Sequence, residues 1–95
     1  MTQPRDELDA LRDRIDAIDR TIVEWLNERA RLALEAGRLK SAAGRGEVRD
    51  PDREREVLLR VAMANEGPLP QADLVELYRR LIDILVALEE RDLPR

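Results

Sequence analysis

Arg29 and Lys40 stand where the pattern around them reserves places for apolar side chains. The series Leu26, Arg29, Ala33, Ala36, Lys40 continues the three-and-four spacing of one helix face. Eleven residues are close to three full turns, so the two cations point the same way. Between them lie only small residues, Ala33, Ala36 and Gly37. Two cations flanking a pared-down helix face suit an anionic ligand, and snorkelling from the margin of a core accounts for the same positions about equally well. Farther on, Tyr78, Ile82, Leu85 and Glu89 form a second stripe, with Glu89 where Leu or Ile is expected. A carboxyl held in an apolar pocket favours its protonated form. A Glu that reaches water from a frayed last turn is the plainer reading and has the better odds on spacing alone. Arg53 is followed at i+4 and i+8 by Val57 and Val61, so it too begins an apolar stripe, and Arg12 lies beside the seam of Leu8, Leu11 and Ile15. The cations are then Arg12, Arg29, Lys40 and Arg53, with Glu54 and Glu89 alongside. With no Cys and no His, nothing here supplies an activated nucleophile. The set suits a small polyanion held by charge-assisted hydrogen bonds.

The elements that must position these groups are helices. Leu8, Leu11, Ile15, Ile18, Ile22, Leu26, Ala33 and Ala36 recur at helical spacing, and no Pro interrupts Arg5 to Val48. A first helix is expected from about Pro4 to about Ala43, and Pro4 suits a first-turn position. The segment from Gly44 to Arg49 reads as a loop. Asp50-Pro51 reads as N-cap and first residue of a second helix, whose apolar face is Val57, Leu58, Val61 and Ala62. The acidic Asp50 and Asp52 also suit the helix dipole, and capping alone accounts for Asp52. Asn65-Glu66-Gly67-Pro68 stops that helix. Pro70 opens a third, with Leu74, Leu77, Tyr78, Leu81, Ile82, Leu85 and Leu88 inward, fraying near Asp92-Leu93-Pro94. There is no strand signal and no repeat, so the fold class is all-α.

Bulk properties narrow the function. The 95 residues are enough for a single domain, 1–95, and not two. Lys and Arg total 17 against 21 acidic residues, a net charge of −4, and the two signs are interleaved, so no basic stripe offers itself to nucleic acid. Lacking His, the chain is without the commonest general base and metal ligand. No metal and no cofactor are expected. Lacking Cys, it is compatible with a cytoplasmic location. No apolar run approaches a membrane span, and Met1-Thr2-Gln3-Pro4-Arg5-Asp6-Glu7 does not read as a signal peptide. About 38 helical residues rise roughly 57 Å, whereas a compact chain of this size has a radius of gyration of about 12 Å. The overhanging stripe needs a cover, and a second copy of the chain is the simplest one.

The run Leu8-Asp9-Ala10-Leu11-Arg12-Asp13-Arg14-Ile15-Asp16-Ala17-Ile18-Asp19 resembles the opening of the all-helical chorismate mutases. So do Leu26-Asn27-Glu28-Arg29, then Gly37-Arg38-Leu39-Lys40, then Val48-Arg49-Asp50-Pro51-Asp52-Arg53-Glu54. Each piece alone is a plain amphipathic helix, but the ordered set Arg12, Arg29, Lys40, Asp50, Arg53, Glu54 is specific. The resemblance covers nearly the whole chain. It implies three helices per chain, an intertwined homodimer with two shared active sites, and a concerted rearrangement of chorismate to prephenate in the shikimate pathway toward Phe and Tyr. It also implies roles. Arg29, with Arg12 from the partner subunit, binds the two substrate carboxylates. Lys40 donates to the ether oxygen of the breaking bond, and Glu89 meets that oxygen from the other side. Arg53 adds positive charge near the side-chain carboxylate and the ether, and Glu54 with the backbone at Asp50 holds the ring hydroxyl.

Leu85 stands where many members place a Ser that contacts substrate, and Glu89 where some have Gln. Both departures bear on efficiency and pH range more than on reaction type. Two other readings compete. Isochorismate pyruvate lyases share the scaffold but tend to lack the Asp-x-x-Arg-Glu arrangement present at Asp50, Arg53 and Glu54. A helical dimerisation or regulatory module does not need inward Arg29, Lys40 and Glu89 together. The resemblance also allows a partner enzyme of the shikimate pathway.

Overall fold

The computed structural model describes residues 3–93. Among the described residues are three α-helices, α1 (Pro4–Ala42), α2 (Pro51–Ala64) and α3 (Gln71–Asp92), and no strand. The all-α expectation and the long first helix are both met. The chain divides into two compact units, Met1–Leu32 and Ala33–Arg95. Expectations that touch Met1, Thr2, Pro94 or Arg95, including the signal-peptide reading and the fraying at Pro94, lie outside the described residues.

The first unit is helical from Pro4 onward. Its sequence is rich in Leu, Ala, Arg and Glu, which lose little side-chain freedom in a helix. Asp6 and Glu7 in the first turn complement the helix dipole. Arg31 donates to Glu28 one turn back at 2.9 Å, an exposed pair worth a few tenths of a kcal/mol. The stripe of Leu8, Leu11, Ile15, Ile18, Ile22 and Leu26 is open to solvent, each residue between 39% and 58% exposed.

In the second unit α1 ends on a glycine. Gly44 adopts φ +79°, a left-handed conformation that costs other residues more. Its N–H donates to the Ser41 carbonyl at 3.0 Å and the N–H of Arg45 donates to the Lys40 carbonyl at 2.9 Å. This is the two-bond Schellman closure. The loop then meets a well-formed helix start. Asp50 is extended, its Oδ1 accepts from the Arg53 N–H at 3.1 Å, and its carbonyl accepts from the Glu54 N–H at 2.9 Å. Pro51, which has no N–H to satisfy, takes the first helical position.

α2 packs on α3. Val57, Leu58, Val61 and Ala62 are half-buried, as the spacing predicts. Ile82, Leu85 and Val86 are the buried apolar residues, and Glu89 is buried with them. Leu77, expected inward, is 63% exposed. Successive helical residues are about 100° apart, and the buried face is centred on Ile82 and Glu89, which turns Leu77 well away from it. Val86 lies at the opposite margin of that face and is buried instead. Between α2 and α3, Asn65 accepts from the Gly67 N–H at 3.0 Å through Oδ1 and donates to the Leu69 carbonyl at 3.0 Å, folding the connection on itself.

Removing the α2 cap tests this account of the helix start. Asp50→Ala should cost about 1 kcal/mol, the usual worth of an N-cap carboxylate. Urea unfolding followed by circular dichroism should show a lower midpoint with an unchanged slope.

Candidate active site

The residues singled out by sequence fall in both units. Arg12 and Arg29 belong to the first, where Arg12 is exposed and Arg29 half-buried. Lys40, Asp50, Arg53, Glu54, Leu85 and Glu89 belong to the second.

In the second unit, Lys40 is half-buried in the last turn of α1, where a cation complements the dipole. Its Nζ donates to the Val48 carbonyl at 3.0 Å. The ammonium is therefore set against the loop that feeds α2, two residues before the capping Asp50. The Asp50 carboxylate has a second neighbour in Arg45, whose Nη2 is 3.7 Å from Oδ2. Glu54, one turn into α2, is the more sheltered carboxylate, its side chain 19% exposed. Lys40, Asp50 and Glu54 are thus brought to one end of α2. Arg53 behaves differently. Its side chain is 55% exposed and pairs with Glu56 at 3.3 Å along the surface of α2.

Glu89 and Leu85 share the buried face of α3, one turn apart, at 8% and 6% exposure. Gly37 on α1 makes room for the carboxyl. A methyl placed on Gly37 would lie 3.5 Å from Glu89 Oε1, in ordinary contact. Gly37 and Glu89 also border a cavity of about 370 Å³ that reaches Ser41 and Leu93. Arg38 and Asp92 line it as well, joined by a two-pronged ion pair, Nε to Oδ2 at 3.1 Å and Nη2 to Oδ1 at 3.3 Å. Lys40 is not part of its lining, so this cavity adjoins the Lys40, Asp50 and Glu54 group without coinciding with it.

Arg49 has no place in the site as the sequence draws it. It bridges α2 and α3, donating to Glu54 Oε1 at 2.5 Å and to Asp83 Oδ1 at 2.9 Å. Its guanidinium is held above its ordinary pKa, first by the hydrogen bond to Asp83 and, against some desolvation, by the charges of Glu54, Asp83 and Glu90. The local signal is an Arg five residues before a Glu, which is common; the Asp83 partner lies 34 residues away and leaves no spacing to read.

Among the described residues no group of three or more His, Cys, Asp or Glu is placed to hold a metal ion. No described helix is long and apolar enough to cross a membrane. The arrangement offers fixed cations, one buried and one sheltered carboxyl, and a positioned loop. Such a set binds and orients an anionic molecule and stabilises charge that develops on it.

Comparison with known proteins gives this chemistry a context. The family model described as chorismate mutase type II matches residues 11–90. A bifunctional chorismate mutase/prephenate dehydratase of Aquifex aeolicus (strain VF5) is 40% identical over 90 residues, covering 90% of this chain and 25% of that protein. One of the same description from Pseudomonas aeruginosa is 38% identical, again over 90% of this chain and 25% of the relative. The chain thus spans about a quarter of the length of these curated relatives. Among solved structures, the form II chorismate mutase of Thermus thermophilus superposes with a TM-score of 0.85 at 36% identity, over 90% of this chain and 96% of that one.

The Gly37 contact is open to a direct test. Gly37→Ala fits the 3.5 Å space and removes a flexible residue from a helix, so it should raise stability by about 0.5–1 kcal/mol. Gly37→Val must push its branches into the Glu89 carboxyl and should instead lower stability by about 1–3 kcal/mol. Urea denaturation of the two variants should therefore give midpoints on opposite sides of the parent.

Proposed function

Since the chain belongs to the type II chorismate mutases, a family of isomerases, we propose that it catalyses the rearrangement of chorismate to prephenate. The observation that best supports this is the setting of Lys40. Its ammonium is held at the loop that leads into Asp50 and Glu54, residues whose ordered spacing resembles the family's site.

The reaction is a concerted pericyclic shift. One carbon–oxygen bond of the ether breaks as one carbon–carbon bond forms, and no proton need move. The site's tasks are to select the folded conformer and to answer negative charge gathering on the ether oxygen. The first is orientation and the second preorganised electrostatics. In this reading Arg29, with Arg12 from a second copy of the chain, takes the two carboxylates. Lys40 donates to the ether oxygen and Glu89 meets it from the other side. Glu54 and the Asp50 backbone hold the ring hydroxyl, and Arg53 adds positive charge nearby once it leaves Glu56. Leu85 lines the pocket with no polar contact to offer. Residues 1–95 act as one domain of a cytoplasmic homodimer whose sites are shared between copies, in the biosynthesis of Phe and Tyr.

The open stripe on α1 supports the dimer. A row of Leu and Ile more than a third exposed along several turns of helix is far more apolar surface than a free chain sustains. Light scattering at low micromolar concentration should give twice the 11.0 kDa chain mass. A folded, active monomer would exclude the shared site.

Activity is checked by measuring chorismate loss with identification of the product. Prephenate is expected; release of pyruvate would instead point to lyase chemistry. Arg29→Ala and Lys40→Ala should each lower kcat by about 100- to 1,000-fold, the usual cost of one transition-state donor, with the helical circular dichroism signal retained. Near-normal turnover in Lys40→Ala would show that the site lies elsewhere.

A further inference from the structure

Arg49 lies outside the residues assigned to substrate, yet its guanidinium bridges the first turn of α2 and the middle of α3. Nη1 meets Glu54 at 2.5 Å and Nη2 meets Asp83 at 2.9 Å. The two partners differ. Asp83 is a surface residue, its side chain 52% exposed, while Glu54 is 19% exposed. A planar guanidinium fixed at one nitrogen has little freedom at the other, which a lysine in the same place would retain. The bond to Arg49 occupies Oε1 of Glu54, and Oε2 accepts no hydrogen bond among the described residues. The loop backbone is held independently, by Lys40 on the Val48 carbonyl and by the Asp50 cap. Arg49 is therefore not needed to place the loop. What it adds is the orientation of one carboxylate.

Resting on the function proposed above, we infer that Arg49 is a positioning residue, anchored on Asp83 and holding Glu54 so that its second oxygen receives the ring hydroxyl of the substrate. The competing account is a solvent-exposed ion pair with no bearing on turnover, since such pairs are commonly worth little.

A double-mutant cycle separates the two. Arg49→Ala should lower kcat/KM by about tenfold, the scale of coupling between groups in one hydrogen-bond network. In a Glu54→Gln background the same substitution should change kcat/KM by less than about twofold, because the group it acts through is already altered. Asp83→Asn keeps the side-chain shape and weakens only the anchor. It should cause a smaller loss that also disappears in the Glu54→Gln background, and it carries the test if Arg49→Ala loses its helical signal. Equal losses in both backgrounds, or parental kcat/KM in Arg49→Ala, would overturn the inference. An inactive parent protein would remove the proposed function and this role with it; an active parent with additive losses would remove this role alone.

Discussion

Glu89 is buried on α3 beside Leu85, Ile82 and Val86, and the second unit is arranged around that fact. A carboxyl so far from water is tolerated only where space and polarity have been set aside for it. Gly37 sets the space aside. A methyl there would just touch the carboxyl, 3.5 Å from Glu89 Oε1, and a branched side chain would run into it. The helix-weakening tendency of Gly is thus accepted near the end of a long helix for the sake of one close approach. The ion pair of Arg38 with Asp92 secures the same two elements from outside, on the rim of the adjoining cavity. The glycine makes room for the buried acidic group, and the ion pair flanks the same contact.

The other half of the site is built by helix ends rather than by packing. α1 stops at a left-handed glycine, and six residues later α2 starts at a capped aspartate. Both ends leave backbone groups without helical partners. At the end of α1 the Gly44 and Arg45 N–H groups answer them, and at the start of α2 Asp50 takes the Arg53 N–H. Lys40 takes the Val48 carbonyl in the loop between. Asp50, which starts α2, is therefore also a residue proposed to meet substrate, and Lys40 lies in the last turn of α1. Asp50 serves α2 with its side chain and its carbonyl, which leaves its backbone N–H for a ligand. Capping and binding compete for one residue only where both need the same atoms, and here they do not.

How much of this was legible in the sequence depends on the range of each interaction. The ends of α1 and α2 depend on residues a few positions apart, so Gly44, Asp50 and Pro51 announced them. The inward faces depend on helical period, which placed Leu85 correctly and put Glu89 on the same stripe, but favoured a Glu89 reaching water, where the structure buries it, and stretched the stripe to include Leu77. Period defines a set of directions and not where the neighbouring helix ends, and only α2 decides which margin of α3 it covers. The pairs of Arg49 with Asp83 and Arg38 with Asp92 span 34 and 54 residues. No spacing rule reaches that far, and the sequence assigns neither arginine a role. The roles of Arg12 and Arg29 came from family resemblance; on spacing alone, snorkelling accounted for Arg29 about as well as ligand binding did.

Under the proposed function, the absence of Cys and His and the presence of so many fixed charges belong together. A concerted rearrangement asks for no nucleophile and no proton relay, so residues with mobile protons bring it nothing. What it asks for is charge held still, because a donor that must reorient as the reaction proceeds spends part of its stabilisation on the reorientation. A short chain of three helices has little core with which to hold side chains still. The structure compensates with ion pairs and hydrogen bonds at Lys40, Asp50 and Glu54. An acidic net charge of −4 does not oppose an anionic substrate under these conditions, since the field near a bound ligand is set by the groups within a few ångströms and distant surface charge is screened.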